Sequence, residues 1–143
     1  MANKCNLERF VLAQENSYDE VKSELRSGQK QSHWMWFVFP QIRGLGYSDI
    51  AQKYGISCTE EANAYVTHPI LGSRLIECCN LILDIQGRNA HYIFGETDAM
   101  KLRSSMTLFS RSSDNPVFCK VLSKYYDDKE DIATLELLDE AKL

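Results

Sequence analysis

Both tryptophans of the chain, Trp34 and Trp36, lie one residue apart in the segment HWMWFVFPQ. Aromatic rings stack on a base or a nicotinamide-like ring, and basic side chains beside them contact phosphates. The basic residues of this region are Lys30, His33 and Arg43. The segment therefore predicts one wall of a small-ligand site. The alternative is an aromatic core segment whose indole N–H groups find partners inside the protein.

Two further residues close to this segment are candidate ligand contacts. Gln41 is a polar side chain at the end of an apolar run, and it needs a hydrogen-bond partner if it is buried. Gly44 lies in the sequence RGLG, where backbone N–H groups can approach an anion closely. RGLG matches neither a dinucleotide-binding fingerprint nor a Walker loop, so a plain turn between helices is the alternative.

A third candidate region is the segment ETDAMKLRSSMTLF, which follows Gly95. Thr97 or Asp98 is predicted to cap a helix here, and on that helix Asp98, Lys101 and Ser105 share one face. A carboxylate, an ammonium and a hydroxyl together suit acid–base chemistry, with the lysine holding a phosphate or a leaving group. The alternative is a solvated helix face with an ion pair worth roughly a few tenths of a kcal/mol.

Neither a metal site nor a disulfide framework is indicated. The histidines are His33, His68 and His91, and their spacing matches no metal-binding motif. The five cysteines form no C-x-x-C pair, and their number is odd. They are Cys5, Cys58, Cys78, Cys79 and Cys119. We predict no cofactor, and we interpret the adjacent pair at 78–79 as buried apolar residues of a helix.

Length, charge and hydropathy limit the class of protein. The 143 residues suit one compact domain covering 1–143, and 44% hydrophobic and 25% charged residues are typical of a globular chain. A formal charge of −4 argues against a protein held on nucleic acid by bulk electrostatics. No stretch has the length of a membrane span, and MANKCNLERF lacks the apolar part of a signal peptide. We therefore expect a cytoplasmic protein without a membrane partner.

The elements that must position these residues are helices, because apolar residues recur at intervals of three and four throughout the chain. S-x-x-E capping boxes at 17–20 and 57–60 predict two helix starts, and Gly28 predicts a helix end. Pro69 and Pro116 suit the first turn of two more helices. The aromatic segment is the only run with β character. We predict an all-α domain of about six to eight short helices.

Several blocks of this sequence resemble a known bacterial family. The blocks are FVLAQ (10–14), GQKQSHWMWFVFPQIRGLG (28–46), EANAYVTHPILGSRL (61–75), IFGETDAMKLRSSMTLF (93–109) and DIATLELL (131–138). The family is the domain of unknown function 1810 family, and the resemblance implies a small, single-domain, all-α fold. Its occasional label "calpastatin" has no physical support, because such protease inhibitors are disordered repeat proteins.

A fainter likeness in pattern concerns function. Lys101, Met106, Phe109 and the helix that follows them look like the helical core of the NADAR enzymes, which are associated with NAD, ADP-ribose and N-glycosidic bonds. This likeness names no catalytic residue. It implies a pocket for an adenine or nicotinamide ring attached to phosphates.

The first functional hypothesis is a small-ligand-binding protein or hydrolase for a nucleotide, an ADP-ribosyl compound or another N-glycosyl compound. The predicted catalytic residues are His33, Asp98 and Lys101, and the predicted ligand contacts are Lys30, Trp34, Trp36, Gln41, Arg43, Gly44 and Ser105. The second hypothesis is a non-enzymatic partner-binding or regulatory domain with an aromatic core. A common cleft for Lys30, His33, Asp98 and Lys101 would favour the first hypothesis, and scattering over the surface would favour the second.

Overall fold

A computed structural model describes residues 6–141, and within this range the fold is all-α, as predicted. Nine helices form among these residues, more than the six to eight that were predicted. They are α1 (Glu8–Glu15), α2 (Tyr18–Ser27), α3 (Met35–Val38), α4 (Asp49–Lys53), α5 (Thr59–Thr67), α6 (Leu71–Asp84), α7 (Ala90–Ser112), α8 (Val117–Tyr126) and α9 (Ile132–Ala141). None of these helices is long and apolar enough to cross a lipid bilayer.

Helix α7 is the central element of the packing. Helices α5, α8 and α9 pack against it, and α6 contacts α2, α5 and α8. The second part of α7 has an almost continuous buried run, from Ser104 to Phe109, because neighbouring helices cover several of its faces. Buried apolar side chains form one cluster, to which every helix except α4 contributes.

The predicted helix ends are correct at Gly28 but differ in detail at both capping boxes. Gly28 ends α2 in the left-handed conformation, with φ of 78°. Ser17 precedes α2 as predicted, yet its Oγ donates to the carbonyl of Ala13 over 3.0 Å instead of capping the helix. The carboxylate that bonds Ser57 is that of Glu61, which accepts from the backbone N at 2.7 Å and from Oγ at 2.9 Å. The box is therefore one residue longer than the motif predicts.

Proline marks two helix starts, although the first helix begins later than predicted. Helix α6 begins at Leu71, two residues after Pro69, and the turn between them is bonded to the His68 side chain. His68 Nδ1 accepts from the backbone N–H groups of Ile70 and Leu71 over 3.1 and 3.2 Å. Helix α8 begins directly after Pro116.

The aromatic segment forms a helical turn, so the β character that its sequence indicates is wrong. In α3 the backbone N of Val38 bonds the Trp34 carbonyl at 3.2 Å, and that of Phe39 bonds the Met35 carbonyl at 3.0 Å. Residues two apart on a helix lie on different faces. The turn therefore directs Trp34 and Trp36 to different surroundings. The described residues contain no β-structure beyond one isolated bridge, between 42 and 56.

Gly95 interrupts α7, because its backbone conformation is not helical. Its φ of 81° and ψ of 168° are outside the helical region, and a Cβ built at this position meets no atom within 4 Å. Glycine is therefore required by the backbone conformation and not by crowding. At this interruption the carbonyl of Ile93 accepts from the backbone N of Lys30 over 2.7 Å. This hydrogen bond links α7, close to its break, to the connection between α2 and α3.

Candidate functional site

A cavity of about 380 Å³ lies where the connection between α2 and α3 meets the break in α7. Its lining residues are Lys30, His33, Met35, Trp36, Phe94, Gly95, Glu96, Thr97, Asp98 and Lys101. Half of the predicted site residues meet here, namely Lys30, His33, Trp36, Asp98 and Lys101. The volume falls within the range of about 300–1,000 Å³ that is usual for small-molecule sites.

Asp98 lies between two lysines, and the first of them is almost fully engaged. Lys30 Nζ is 2.7 Å from Asp98 Oδ2, and the exposed fraction of the Lys30 side chain is 5%. The same ammonium donates to the Ser32 carbonyl and lies 4.9 Å from the centre of the Trp34 ring. A carboxylate, a carbonyl and an aromatic face surround the Lys30 ammonium, so a ligand has little access to it.

Lys101 is the more accessible lysine of the cavity. Its Nζ lies 3.7 Å from Asp98 Oδ1 and 4.6 Å from the centre of the Trp36 ring, and 23% of its side chain is exposed. An ammonium has three donors, and no hydrogen bond within the described part of the chain occupies them in the way that those of Lys30 are occupied. Lys101 is therefore the lysine that can turn toward an anionic ligand.

Glu24 organises the connection that carries Lys30 and His33, and sequence reasoning missed it. Its Oε1 accepts from the backbone N of Gln31 (2.8 Å), the backbone N of Ser32 (3.0 Å) and Trp34 Nε1 (2.9 Å). Its Oε2 accepts from Ser32 Oγ at 2.6 Å. The available signal was the indole N–H of a tryptophan in an apolar segment, which requires an acceptor close by when buried.

The pKa of Glu24 reflects this set of donors. Partial burial, the largest influence, would raise the pKa of the carboxyl. Hydrogen bonds from Ser32, Gln31 and Trp34 favour the ionised form and together bring the pKa below its ordinary value. The carboxylate form is thus the one that holds the connection in place.

Trp34 belongs to the core, which corrects its predicted role as a stacking surface. The residue is 1% exposed, and its Nε1 is bonded to Glu24. Lys30 lies over its ring, and the ring centre of Phe39 is 6.2 Å away. No free face remains for a ligand ring. Trp36 is only partly buried and contributes the indole of the cavity wall.

Three predicted contacts lie outside the cavity and require correction as well. Gln41 borders a separate crevice of about 10 Å³, which is too small for a ring. Arg43 bonds the Gly55 carbonyl through Nη2 at 3.2 Å, and so it serves the turn in which it lies. Gly44 has a φ of 111°, and a Cβ added there would lie 3.2 Å from the Leu137 side chain. The RGLG sequence therefore forms a plain turn between helices, which is the alternative interpretation of that sequence.

Ser105 shares a helix face with Lys101 but lies one turn deeper, in the core. It is fully buried, and its Oγ has no hydrogen-bond partner among the described residues. It does not line the cavity. The neighbouring Ser104, by contrast, bonds the Met100 carbonyl at 3.2 Å and Asp131 Oδ2 at 3.1 Å.

We expect opposite effects on stability from removing these two hydroxyls. Ser105→Ala raises the free energy of unfolding by about 1 kcal/mol, because it removes a buried hydroxyl that has lost water without gaining a partner. Ser104→Ala is the matched control and lowers it by about 1 kcal/mol, because the hydrogen bond that this hydroxyl donates toward the Met100 carbonyl and Asp131 Oδ2 is lost. Urea denaturation of both variants measures the difference. A destabilised Ser105→Ala would show that its Oγ has a partner in solution.

The adjacent cysteines Cys78 and Cys79 are buried in the core, as their place in a helix predicts. Burial raises the pKa of the Cys78 thiol to about 12 and that of Cys79 well above its ordinary value, as expected of core residues. Cys5 lies outside the described residues. Across 6–141, no group of three or more His, Cys, Asp or Glu side chains is arranged to hold a metal ion.

A larger groove of about 870 Å³ runs between α5, the end of α7 and α9, and it is a poorer candidate. Its lining residues are Thr59, Glu60, Asn63, Arg111, Ser112, Leu135, Leu138 and Asp139. The groove has no aromatic residue among them. Arg111 is paired with both oxygens of Glu130, at 2.7 and 2.6 Å, so the positive charge in the groove already has a counter-charge.

Comparison with known proteins establishes the family. Residues 4–138 match the family model described as "Protein of unknown function (DUF1810)". The chain belongs to the DUF1810 family. The crystal structure of the conserved hypothetical protein Rv1873 from Mycobacterium tuberculosis is similar over 96% of this chain and 99% of that chain, with 53% sequence identity and a TM-score of 0.94. No curated protein matches the chain.

The resemblance to DUF1810 that the sequence blocks indicate is thus confirmed, together with the all-α fold. Two of those blocks, 28–46 and 93–109, supply every residue that lines the cavity. The likeness to the NADAR enzymes stays a prediction.

Proposed function

We propose that the cavity binds a small compound that joins a ring to an anionic group: a nucleotide, an ADP-ribosyl compound or another N-glycosyl compound. The observation that carries this proposal is the meeting of Lys101, Asp98, His33 and Trp36 at one break in a helix. These residues come from two distant segments. A binding role requires them to share a cavity, and four separate structural roles do not.

The cavity offers separate surfaces for the two parts of such a ligand. Met35, Trp36 and Phe94 form an apolar and aromatic wall suited to a flat ring. Lys101 can contact the anionic group. The residues directly after Gly95 begin the second part of α7 beside the cavity, where the backbone N–H groups of a helix start also favour negative charge.

The same residues suit hydrolysis of an N-glycosidic bond. In that reaction the bond between the sugar carbon and the base nitrogen breaks, water supplies hydroxide to the carbon, and the nitrogen receives a proton. A carboxylate stabilises the positive charge that develops on the sugar. Asp98 Oδ1 is suited to this role, because Lys30 holds the other oxygen. His33 is exposed at the cavity and can carry the proton to the leaving base.

Substitution of Lys101 tests the proposal. Titration calorimetry with AMP, NAD and ADP-ribose should show binding by the wild type, and Lys101→Met should weaken it about tenfold through loss of a charge-assisted hydrogen bond. Lys120→Met, at an exposed position of α8, is the matched control and should bind like the wild type. The stability of both variants should match the wild type, because both side chains reach solvent.

Chromatography of the same mixtures measures release of the free base or nicotinamide. Binding with release supports the hydrolase, and binding without release supports a ligand-binding protein. If no compound of the panel binds, or if Lys101→Met binds as well as the wild type, the proposal is wrong. The non-enzymatic partner-binding domain is then the better hypothesis.

A further inference from the structure

The charges of the cavity limit which ligand it can accept; this argument rests on the function proposed above. Four of its lining residues carry formal charge, and they are Lys30, Lys101, Asp98 and Glu96. Two positive and two negative groups cancel. Sites that hold several phosphates depend on an excess of cations or backbone donors. This cavity has no excess of cations, and its helix start after Gly95 already carries the carboxylates of Glu96 and Asp98.

The two lysines are also unequal partners for a ligand. Lys30 already contacts Asp98, the Ser32 carbonyl and the Trp34 ring, with 5% of its side chain exposed. Lys101 is more than four times as exposed, at 23%, and its distance of 3.7 Å from Asp98 leaves room to turn. Among the lining residues that the structure describes, Lys101 is thus the lysine available to one anionic group.

A second phosphate would meet carboxylates. Glu96 is exposed at the cavity and follows directly on Gly95, and Asp98 lies two residues after Glu96. A phosphate displaced from Lys101 toward these residues faces like charges at short range, where screening by salt is weak. Hydroxyl groups, in contrast, can donate to these carboxylates.

We infer that the ligand is a nucleoside or another N-glycosyl compound that carries no more than one phosphate group. Lys101 contacts that phosphate, and the sugar hydroxyls donate to the carboxylates of Asp98 and Glu96. Compounds with a pyrophosphate or a triphosphate, ADP-ribose and NAD included, bind more weakly than the corresponding monophosphate.

A series of adenine compounds tests this inference. Calorimetry at pH 8 compares adenosine, AMP, ADP, ATP and ADP-ribose. We expect AMP to bind at least as tightly as adenosine. Each further phosphate should weaken binding by roughly threefold or more, because it adds repulsion without a new cation. ADP-ribose should bind more weakly than AMP by a similar factor.

Glu96→Gln gives the inference a second, independent measurement. Removal of one carboxylate should raise the affinity for ADP relative to that for AMP by roughly threefold. Glu136→Gln, which removes an exposed carboxylate of α9 away from the cavity, should leave the ratio unchanged. Binding of ADP or ADP-ribose at least as tight as that of AMP overturns the inference and leaves the proposed function standing. Failure of all five compounds and of NAD to bind overturns both.

Discussion

Asp98→Ala is expected to lower the free energy of unfolding by about 3 kcal/mol or more. The substitution removes the carboxylate that lies 2.7 Å from Lys30 Nζ. The ammonium belongs to a side chain that is 5% exposed in the unmodified protein, and it keeps only a carbonyl and an aromatic ring as partners. A buried charge without its counter-charge is costly. Denaturation with guanidinium chloride measures the loss. Glu96→Ala is the matched control and should stay within about 0.5 kcal/mol of the wild type, as is usual for an exposed side chain.

A double substitution shows whether the buried charge is the cause. Lys30→Met removes the charge and keeps an unbranched apolar side chain near Trp34. If the loss in Asp98→Ala comes from an unpaired ammonium, the variant with both substitutions should be more stable than Asp98→Ala alone, since removal of a whole buried pair costs little. Additive losses would mean that Lys30 and Asp98 stabilise the fold independently.

Glu24→Ala is expected to cost about 2–3 kcal/mol and to disorganise the cavity, although Glu24 does not line it. The substitution leaves three N–H donors without their acceptor, those of Gln31, Ser32 and the Trp34 indole, and partly buried donors without partners are destabilising. The connection that carries Lys30 and His33 then loses its anchor on α2. Affinity for AMP should fall along with stability.

The tryptophans provide a spectroscopic test of this effect. The chain has two of them, so a proton–nitrogen correlation spectrum contains two indole N–H signals. In Glu24→Ala the Trp34 signal should shift strongly, because its acceptor is gone. Glu20→Ala, at an exposed position one turn earlier on α2, should leave both signals in place. An unmoved Trp34 signal in Glu24→Ala would contradict the hydrogen bond.

Acid should reproduce the loss of Glu24 in the unmodified chain. The pKa of this carboxyl is lower in the folded protein than its ordinary value, so the folded state binds its proton less readily than the unfolded chain does. Its contribution to stability is therefore complete above the ordinary pKa of glutamate and is lost as the pH falls through the lowered folded value. In Glu24→Ala this part of the pH dependence should be absent.

Local signals predicted much of the fold, because they depend on residues close in sequence. Gly28 was predicted to end a helix, and it ends α2 in the left-handed conformation, which favours glycine. Asp98 and Lys101 meet because an interval of three residues places them on one helix face. The helical turn of the aromatic segment was harder to predict, because the four residues of α3 are too few to show a helical period.

The cavity itself was only partly predictable, because its contacts join distant segments. Nothing in the spacing of Lys30 and Asp98 indicates that they form an ion pair, since that pair depends on how the α2–α3 connection docks on α7. Glu24 lies in an ordinary helical pattern that gives no sign of its four hydrogen bonds. Trp34 and Trp36 are the same residue type in the same segment, and only the rotation of a single helical turn directs one to the core and the other to the cavity.

The bond between the Lys30 backbone N and the Ile93 carbonyl has a consequence for the energetics of binding. It ties the two walls of the cavity to each other directly, at 2.7 Å, beside the break at Gly95. The conformational entropy of ordering these walls is therefore lost during folding and not during association. For a ligand of the class proposed above, this preorganisation lowers the ordering cost of association.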